Sequence, residues 1–142
     1  MNQAVVDASV AAKWVIEEAH TPKAVLLLKY QTLHAPAHWR AEAVNVLWAK
    51  VFRGDLTAAD AADRMETLMR APVVDTAIAG LVHRAFAISV AHSITIYDSL
   101  YVALAEHRDI PMVTADQRLL RRLSTDAAFG KRLVWVGDVV AP

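Results

Sequence analysis

The sequence predicts an α/β fold in which a mostly parallel sheet is covered by helices on both faces. Three observations carry this expectation. Short apolar runs (Val5-Val6, Leu33-His34-Ala35, Val73-Val74, Met112-Val113-Thr114, Leu133-Val134-Trp135) read as strands buried on both sides. Segments with helical spacing separate them, and strand–helix alternation marks a parallel sheet. The chain has 142 residues, 56% hydrophobic and 21% charged, enough to bury a core without disulfides or a structural metal. Residues 1–142 are expected to form a single domain, since no linker, repeat or low-complexity tract divides them.

The elements follow in order. The first six residues form a short strand that stops at Asp7, and Ser9 to Glu18 is expected to be helical. Thr21-Pro22 starts a second helix, with Thr as cap and Pro in the first turn, running to about Gln31. A brief strand at Leu33–Ala35 precedes a long helix expected from Pro36 to Arg53-Gly54, where glycine stops it. Thr57 caps the next helix, whose apolar side carries Met65, Leu68 and Met69. A strand at Pro72–Val74 leads into a helix from Thr76 to about His92, then another from Thr95 to about Arg108. A strand at Ile110–Thr114, a helix from Asp116 to about Leu123 and a strand at Arg132–Val136 complete the pattern.

Composition excludes several functions. Fifteen Lys and Arg balance fifteen Asp and Glu, so affinity from bulk positive charge is excluded, although a local phosphate-binding patch is not. The absence of cysteine excludes thiol catalysis and zinc ribbons. The start has no basic, apolar leader pattern, and the longest charge-free run, Ala85–Tyr97, is too short to span a bilayer. A cytoplasmic protein without membrane attachment is expected.

Four carboxylates stand out. Asp7 ends the first strand and Asp116 follows the Met112–Thr114 strand by two residues, which puts both at the carboxyl edge of a parallel sheet, where ligands bind. Glu42 shares a helix face with Trp39 and Val46, and Asp98 shares one with Ile94, Tyr101 and Val102. A carboxylate on an apolar face costs several kcal/mol unless neutralised, and no Lys or Arg stands one turn away from either. Each acid has an ordinary explanation. Asp7 and Asp116 suit helix caps, Thr95–Asp98 a loose capping box, and Glu42 a pairing with His38. Four such coincidences at one sheet edge point instead to a shared cation. All-oxygen donors suit Mg²⁺, with Mn²⁺ as a substitute, and not zinc. The chemistry that follows is phosphodiester hydrolysis, in which a divalent ion activates water. Ser9 and Thr114 stand two residues from Asp7 and Asp116 and can orient a carboxylate, or else serve as local caps.

These residues resemble a known family. Val5-Val6-Asp7-Ala8-Ser9, Glu42 followed by Asn45, Tyr97-Asp98-Ser99-Leu100-Tyr101-Val102-Ala103-Leu104-Ala105 and Thr114-Ala115-Asp116 are similar, in order, to the PIN-domain ribonucleases. They most resemble the toxins of bacterial VapBC toxin–antitoxin pairs. The resemblance implies a three-layer α/β/α sandwich and a Mg²⁺-dependent, single-strand-directed endoribonuclease whose substrate is single-stranded or structured RNA. It implies a catalytic and metal-binding quartet of Asp7, Glu42, Asp98 and Asp116, with Asn45 able to hydrogen-bond within the site. It also implies a homodimer and a VapB-type antitoxin partner.

Basic residues should guide phosphates towards such a site. Arg118, Arg121 and Arg122 are the candidates for RNA contact, with Lys131 and Arg132 in the same quarter of the chain and Lys13 and Arg53 as weaker ones. The apolar excess of Val25-Leu26-Leu27-Leu28, Tyr30, Trp14, Trp39 and Trp48 suggests a second covered surface, though core packing accounts for at least two of the tryptophans. The histidines show no metal pattern. Two alternatives remain at the level of sequence. One is a catalytically silent partner-binding module. The other is a phosphotransfer domain of receiver or aspartyl-phosphatase type, which fits poorly because Ser9 stands where a phosphatase needs a second Asp and no Lys follows the last strand.

Overall fold

A computed structural model describes residues 2–142, so the expected start of the first strand at Met1 lies outside the described residues. Five parallel strands form one sheet: β1 (Gln3–Val6), β2 (Thr32–Pro36), β3 (Val73–Thr76), β4 (Met112–Thr114) and β5 (Leu133–Trp135), in the order β3-β2-β1-β4-β5. Seven helices accompany them: α1 (Ala8–Ala11), α2 (Thr21–Tyr30), α3 (Trp39–Phe52), α4 (Ala58–Met69), α5 (Val82–His92), α6 (Ile96–Arg108) and α7 (Gln117–Leu123). The result is the three-layer α/β/α sandwich. β1 is central, and Ala4, Val5 and Val6 are wholly buried because neighbours cover both its faces. No single helix among the described residues is long and apolar enough to cross a membrane.

Helix α6 is the core helix. Ser99 to Ala105 are all buried, and it packs on α5 and against β1, β2 and β4. A helix apolar all round must be enclosed in this way. Its start is set by Thr95, whose hydroxyl accepts from the Asp98 N–H at 3.1 Å, and its end by Asp109 in the left-handed region (φ 54°). Thr57 caps α4 in the same manner.

Several expected boundaries moved. The first helix was expected to reach Glu18. It ends at Ala11 and tightens into a 3₁₀ turn over Ala12–Trp14, after which Thr21 ties the chain down by accepting from the Glu18 N–H and donating to the Ile16 carbonyl. Pro36 does not open the long helix. It ends β2, where the next residue, Ala37, donates to Thr76 of β3, and α3 begins at Trp39. Thr76 ends β3, so α5 starts at Val82. Val136 leaves the last strand for a 3₁₀ turn.

Trp14 and Trp39 pack edge to face at 6.1 Å, and their indole N–H groups are satisfied by the Ala24 carbonyl and by Asp75. Trp48 is the exception. It is 60% exposed and stacks on Phe52, itself 77% exposed, beside a groove between α3 and α4. Of the α2 run, Leu27 is buried, while Val25 and Tyr30 face solvent.

Candidate active site

The chain runs from β1 outward through β2 to β3, then returns past β1 to lay down β4 and β5 on the other side. The crevice at the carboxyl ends of β1 and β4 is therefore the topological switch point, where open α/β sheets bind ligands. Asp7 leaves β1 there. The register pairs Val6 with Val113, so the next residues, Asp7 and Thr114, fall side by side.

Asp7 is 6% exposed and held from three directions. The Thr114 hydroxyl donates to its Oδ2 at 2.5 Å, the Ser9 hydroxyl to its Oδ1 at 2.5 Å, and the Val10 N–H to Oδ1 at 3.2 Å. The same hydroxyls accept in turn, Ser9 from the Ala115 N–H and Thr114 from the Asp116 N–H, both at 3.0 Å. Asp7 thus caps α1 and also sits at the centre of a brace between the ends of β1 and β4. Burial pushes its carboxyl up to about 6, against the pull of Ser9, Thr114 and Val10, and the nearby charge of Asp98 adds to the rise.

Glu42, on the first turn of α3, is half-buried. The Tyr101 hydroxyl donates to its Oε1 at 2.6 Å, and His38 Nε2 stands 3.0 Å from the same oxygen. Burial pushes this carboxyl up, but the close approach of His38 and the Tyr101 hydrogen bond outweigh it and leave it below the ordinary glutamate range. The expected His38 pairing is therefore present. Tyr101, by contrast, reads in the sequence only as part of an apolar helix face.

Asp98 lies in the first turn of α6 and is half-buried. Burial raises its carboxyl, and the charges of Asp116 and Glu42 raise it further, against the Thr95 hydroxyl and His38. Asp116 caps α7 by accepting the Arg118 and Leu119 N–H groups on Oδ1. Those bonds leave its Oδ2, and likewise Oε2 of Glu42, without a hydrogen-bond partner among the described residues.

Asp98 feels the charges of Asp116 and Glu42 and acts in turn on Asp7, and it shares one hollow with Asp116, while Glu42 lines a second hollow with Ser9. The expectation that Glu42 and Asp98 face the core needs correction: of the four acids only Asp7 is truly buried, while Asp98 and Asp116 line one hollow and Glu42 another. Asn45 is exposed on the same wall as Glu42 and Ser9. Arg118 and Arg122 line the hollow that holds Asp98 and Asp116, with Arg122 donating to the Ser93 carbonyl at 2.8 Å. Arg121 is exposed and does not line that hollow, because it projects from another side of α7. Lys131 and Arg132 lie at the other end of the sheet, around Asp109 and Pro111 before β4. Lys13 pairs with Glu18, and Arg53 stands 3.7 Å from Asp55.

The donor set fits a hard divalent cation. Burial first, and then the neighbouring charges of Asp116 and Glu42 at Asp98 and of Asp98 at Asp7, disfavour the charged carboxylates, and a cation of that class relieves both costs. Among the described residues no three His, Asp or Glu side chains close into a ligand cage. The acids face an open cleft with free oxygens.

Comparison with known proteins identifies the family. The PIN domain family model matches residues 4–124. The chain belongs to the PIN-domain family. It is 33% identical over 130 residues to Ribonuclease VapC3 of Mycobacterium tuberculosis, covering 91% of this chain and 93% of that one. It is 34% identical over 122 residues to Ribonuclease VapC3 of Pyrobaculum aerophilum, covering 83% and 92%. Within the family it therefore belongs to the VapC type. Its fold matches the crystal structure of PAE2754 from Pyrobaculum aerophilum with a TM-score of 0.71 at 22% identity, covering 96% of this chain and 85% of that one.

Proposed function

We propose that the protein is the toxin of a VapBC pair and acts as a divalent-metal-dependent endoribonuclease. Mg²⁺ is its natural ion, Mn²⁺ replaces it, and single-stranded RNA in the cytoplasm is the substrate. The observation that carries this reading is the placement of Asp7, braced by Ser9 and Thr114 where β1 and β4 end, with Asp116 just beyond β4 sharing a hollow with Asp98. Asp7, Asp98 and Asp116, with Glu42, would hold the ion, which when bound supplies an activated water and charge stabilisation at the phosphorus. Ser9 and Thr114 fix both oxygens of Asp7, and Tyr101 fixes one oxygen of Glu42. Arg118 guides phosphate to a cleft that is otherwise acidic. Water adds to phosphorus, the bond to the 3′ oxygen breaks, and that oxygen leaves with a proton. The products carry 5′-phosphate and 3′-hydroxyl ends.

The exposed Trp48–Phe52 stack and the groove beside it support a VapB-type antitoxin as partner, and the exposed stripe of Val82, Phe86 and Val90 on α5 supports a homodimer. The test is end analysis of RNA cut by purified protein with Mg²⁺, with Mn²⁺ and with EDTA. Cleavage with either metal, none in EDTA and 5′-phosphate ends is the expected result. Cyclic 2′,3′-phosphate ends or full activity in EDTA rules the mechanism out.

A further inference from the structure

We propose that the hollow on the α3 side of the acids receives an unpaired nucleobase flanking the scissile phosphate, with Tyr97 as its stacking platform. This rests on the nuclease reading above. Two hollows adjoin the acids, and their chemistry differs. The one at Asp98 and Asp116 has a volume of about 110 Å³ and is edged by Arg118 and Arg122. It lies below the roughly 300–1,000 Å³ of small-molecule sites and carries the cations a phosphate needs. The one at Glu42 has a volume of about 580 Å³, within that range. Its exposed surface is mostly apolar, from Ala8, Ala41, Val46 and Tyr97, with the polar side chains of Ser9, His38, Glu42 and Asn45 among them.

A strand laid across the acids therefore meets a small polar hollow edged by cations on one side and a larger one, with room for a base against apolar and aromatic walls, on the other. Tyr97 is 59% exposed immediately before Asp98, although α6 is buried from Ser99 to Ala105. Its ring is not loose. It tilts against His38 with centroids 6.1 Å apart, and His38 in turn packs on Tyr101 at 4.9 Å. An aromatic face already held in place loses little freedom when a base stacks on it. The exposed Asn45 amide carries both a donor and an acceptor, which suits the edge of a base splayed out of its strand.

The test uses the full chain carrying Asp98→Asn, which stops cleavage on the nuclease reading, with Mg²⁺ present. Binding is measured by fluorescence anisotropy to a labelled mixed-sequence single-stranded RNA and to its abasic counterpart of ribose phosphates without bases. Adding Tyr97→Ala should weaken binding of the intact RNA roughly ten- to hundredfold while leaving the abasic strand unchanged, and Tyr97→Phe should keep most of the affinity. Equal loss on both strands, or no loss on either, overturns the proposal. So does undiminished RNA binding in a Tyr97→Ala protein that has lost capture of its antitoxin, because the hollow then serves a peptide. Cleavage by the parent protein is scored separately. A parent that cuts no RNA sinks the nuclease reading, whereas a cutting parent indifferent to Tyr97 sinks the base site alone.

Discussion

The hydroxyl of Tyr101 donates a 2.6 Å hydrogen bond to Oε1 of Glu42, joining α6 to α3 across 59 residues of sequence. Tyr101 is otherwise buried, so a phenylalanine fills its space and loses only the donor. Tyr101→Phe should lower the cleavage rate about 10- to 100-fold, the usual cost of removing a group that orients a metal-site ligand. The folded state loses the net worth of one hydrogen bond to a charged group, about 1.5–3 kcal/mol. Rate measurements alongside urea unfolding check both. An unchanged rate in a destabilised protein would reduce Tyr101 to a packing role.

Asp7 makes metal-free stability depend on pH. Its carboxyl rises from 3.8 to about 6 on folding, so between those values the folded chain holds a proton that the unfolded chain has released. Asp7's contribution is full below about 4 and is lost as pH rises through about 6. In EDTA the melting temperature should fall across this window, by the equivalent of up to about 3 kcal/mol. Asp7→Asn should flatten the profile, and Mg²⁺ should restore stability at neutral pH in the parent but not in the variant. Parallel profiles for the two proteins would contradict this.

Asp98→Asn should abolish cleavage while leaving the fold as stable or slightly more so. The side chain's ordinary pKa is raised by burial and by Asp116 and Glu42, so charge at this position is unfavourable without a cation. A gain of about 1 kcal/mol at most is expected in EDTA at neutral pH. A clear loss of stability would mean that the carboxylate acts as a helix-start group for α6 and little else.

Arg118 and Arg121 should behave differently although they sit three residues apart. Arg118 lines the hollow with Asp98 and Asp116, and Arg121 does not. Arg118→Ala should weaken RNA binding across sequences and reduce the salt slope by about one, while Arg121→Ala should change neither. Salt titrations of binding decide it, and equal effects would imply a diffuse cationic surface.

Much of this arrangement is legible in the sequence because it is local. Asp7 directly follows one apolar strand run and Asp116 comes two residues after another, and Thr57, Thr95 and Asp116 cap the helices their spacing predicts. Parallel connectivity sends the carboxyl end of every strand to one edge, which places Asp7 and Asp116 on the same side of the sheet. What escapes is non-local. Tyr101 sits in an apolar helical run and looks like core until α3 is packed beside it. Nothing near Ala11 announces the early end of α1, which is stabilised by Thr21 contacts from beyond the loop. The separation of Arg118 from Arg121 depends on how α7 rolls against the sheet. Lys131 and Arg132 fail as guides because the chain has crossed to the opposite end of the sheet before reaching β5.

The four acids are contributed from residue 7 to residue 116, and the brace between Asp7 and Thr114 needs β1 and β4 to be paired. A nascent chain that has not yet delivered β4 from the ribosome has neither the brace nor the fourth acid. On the proposed reading, catalytic competence therefore begins only after the chain has been made through Asp116 and β4 has paired with β1.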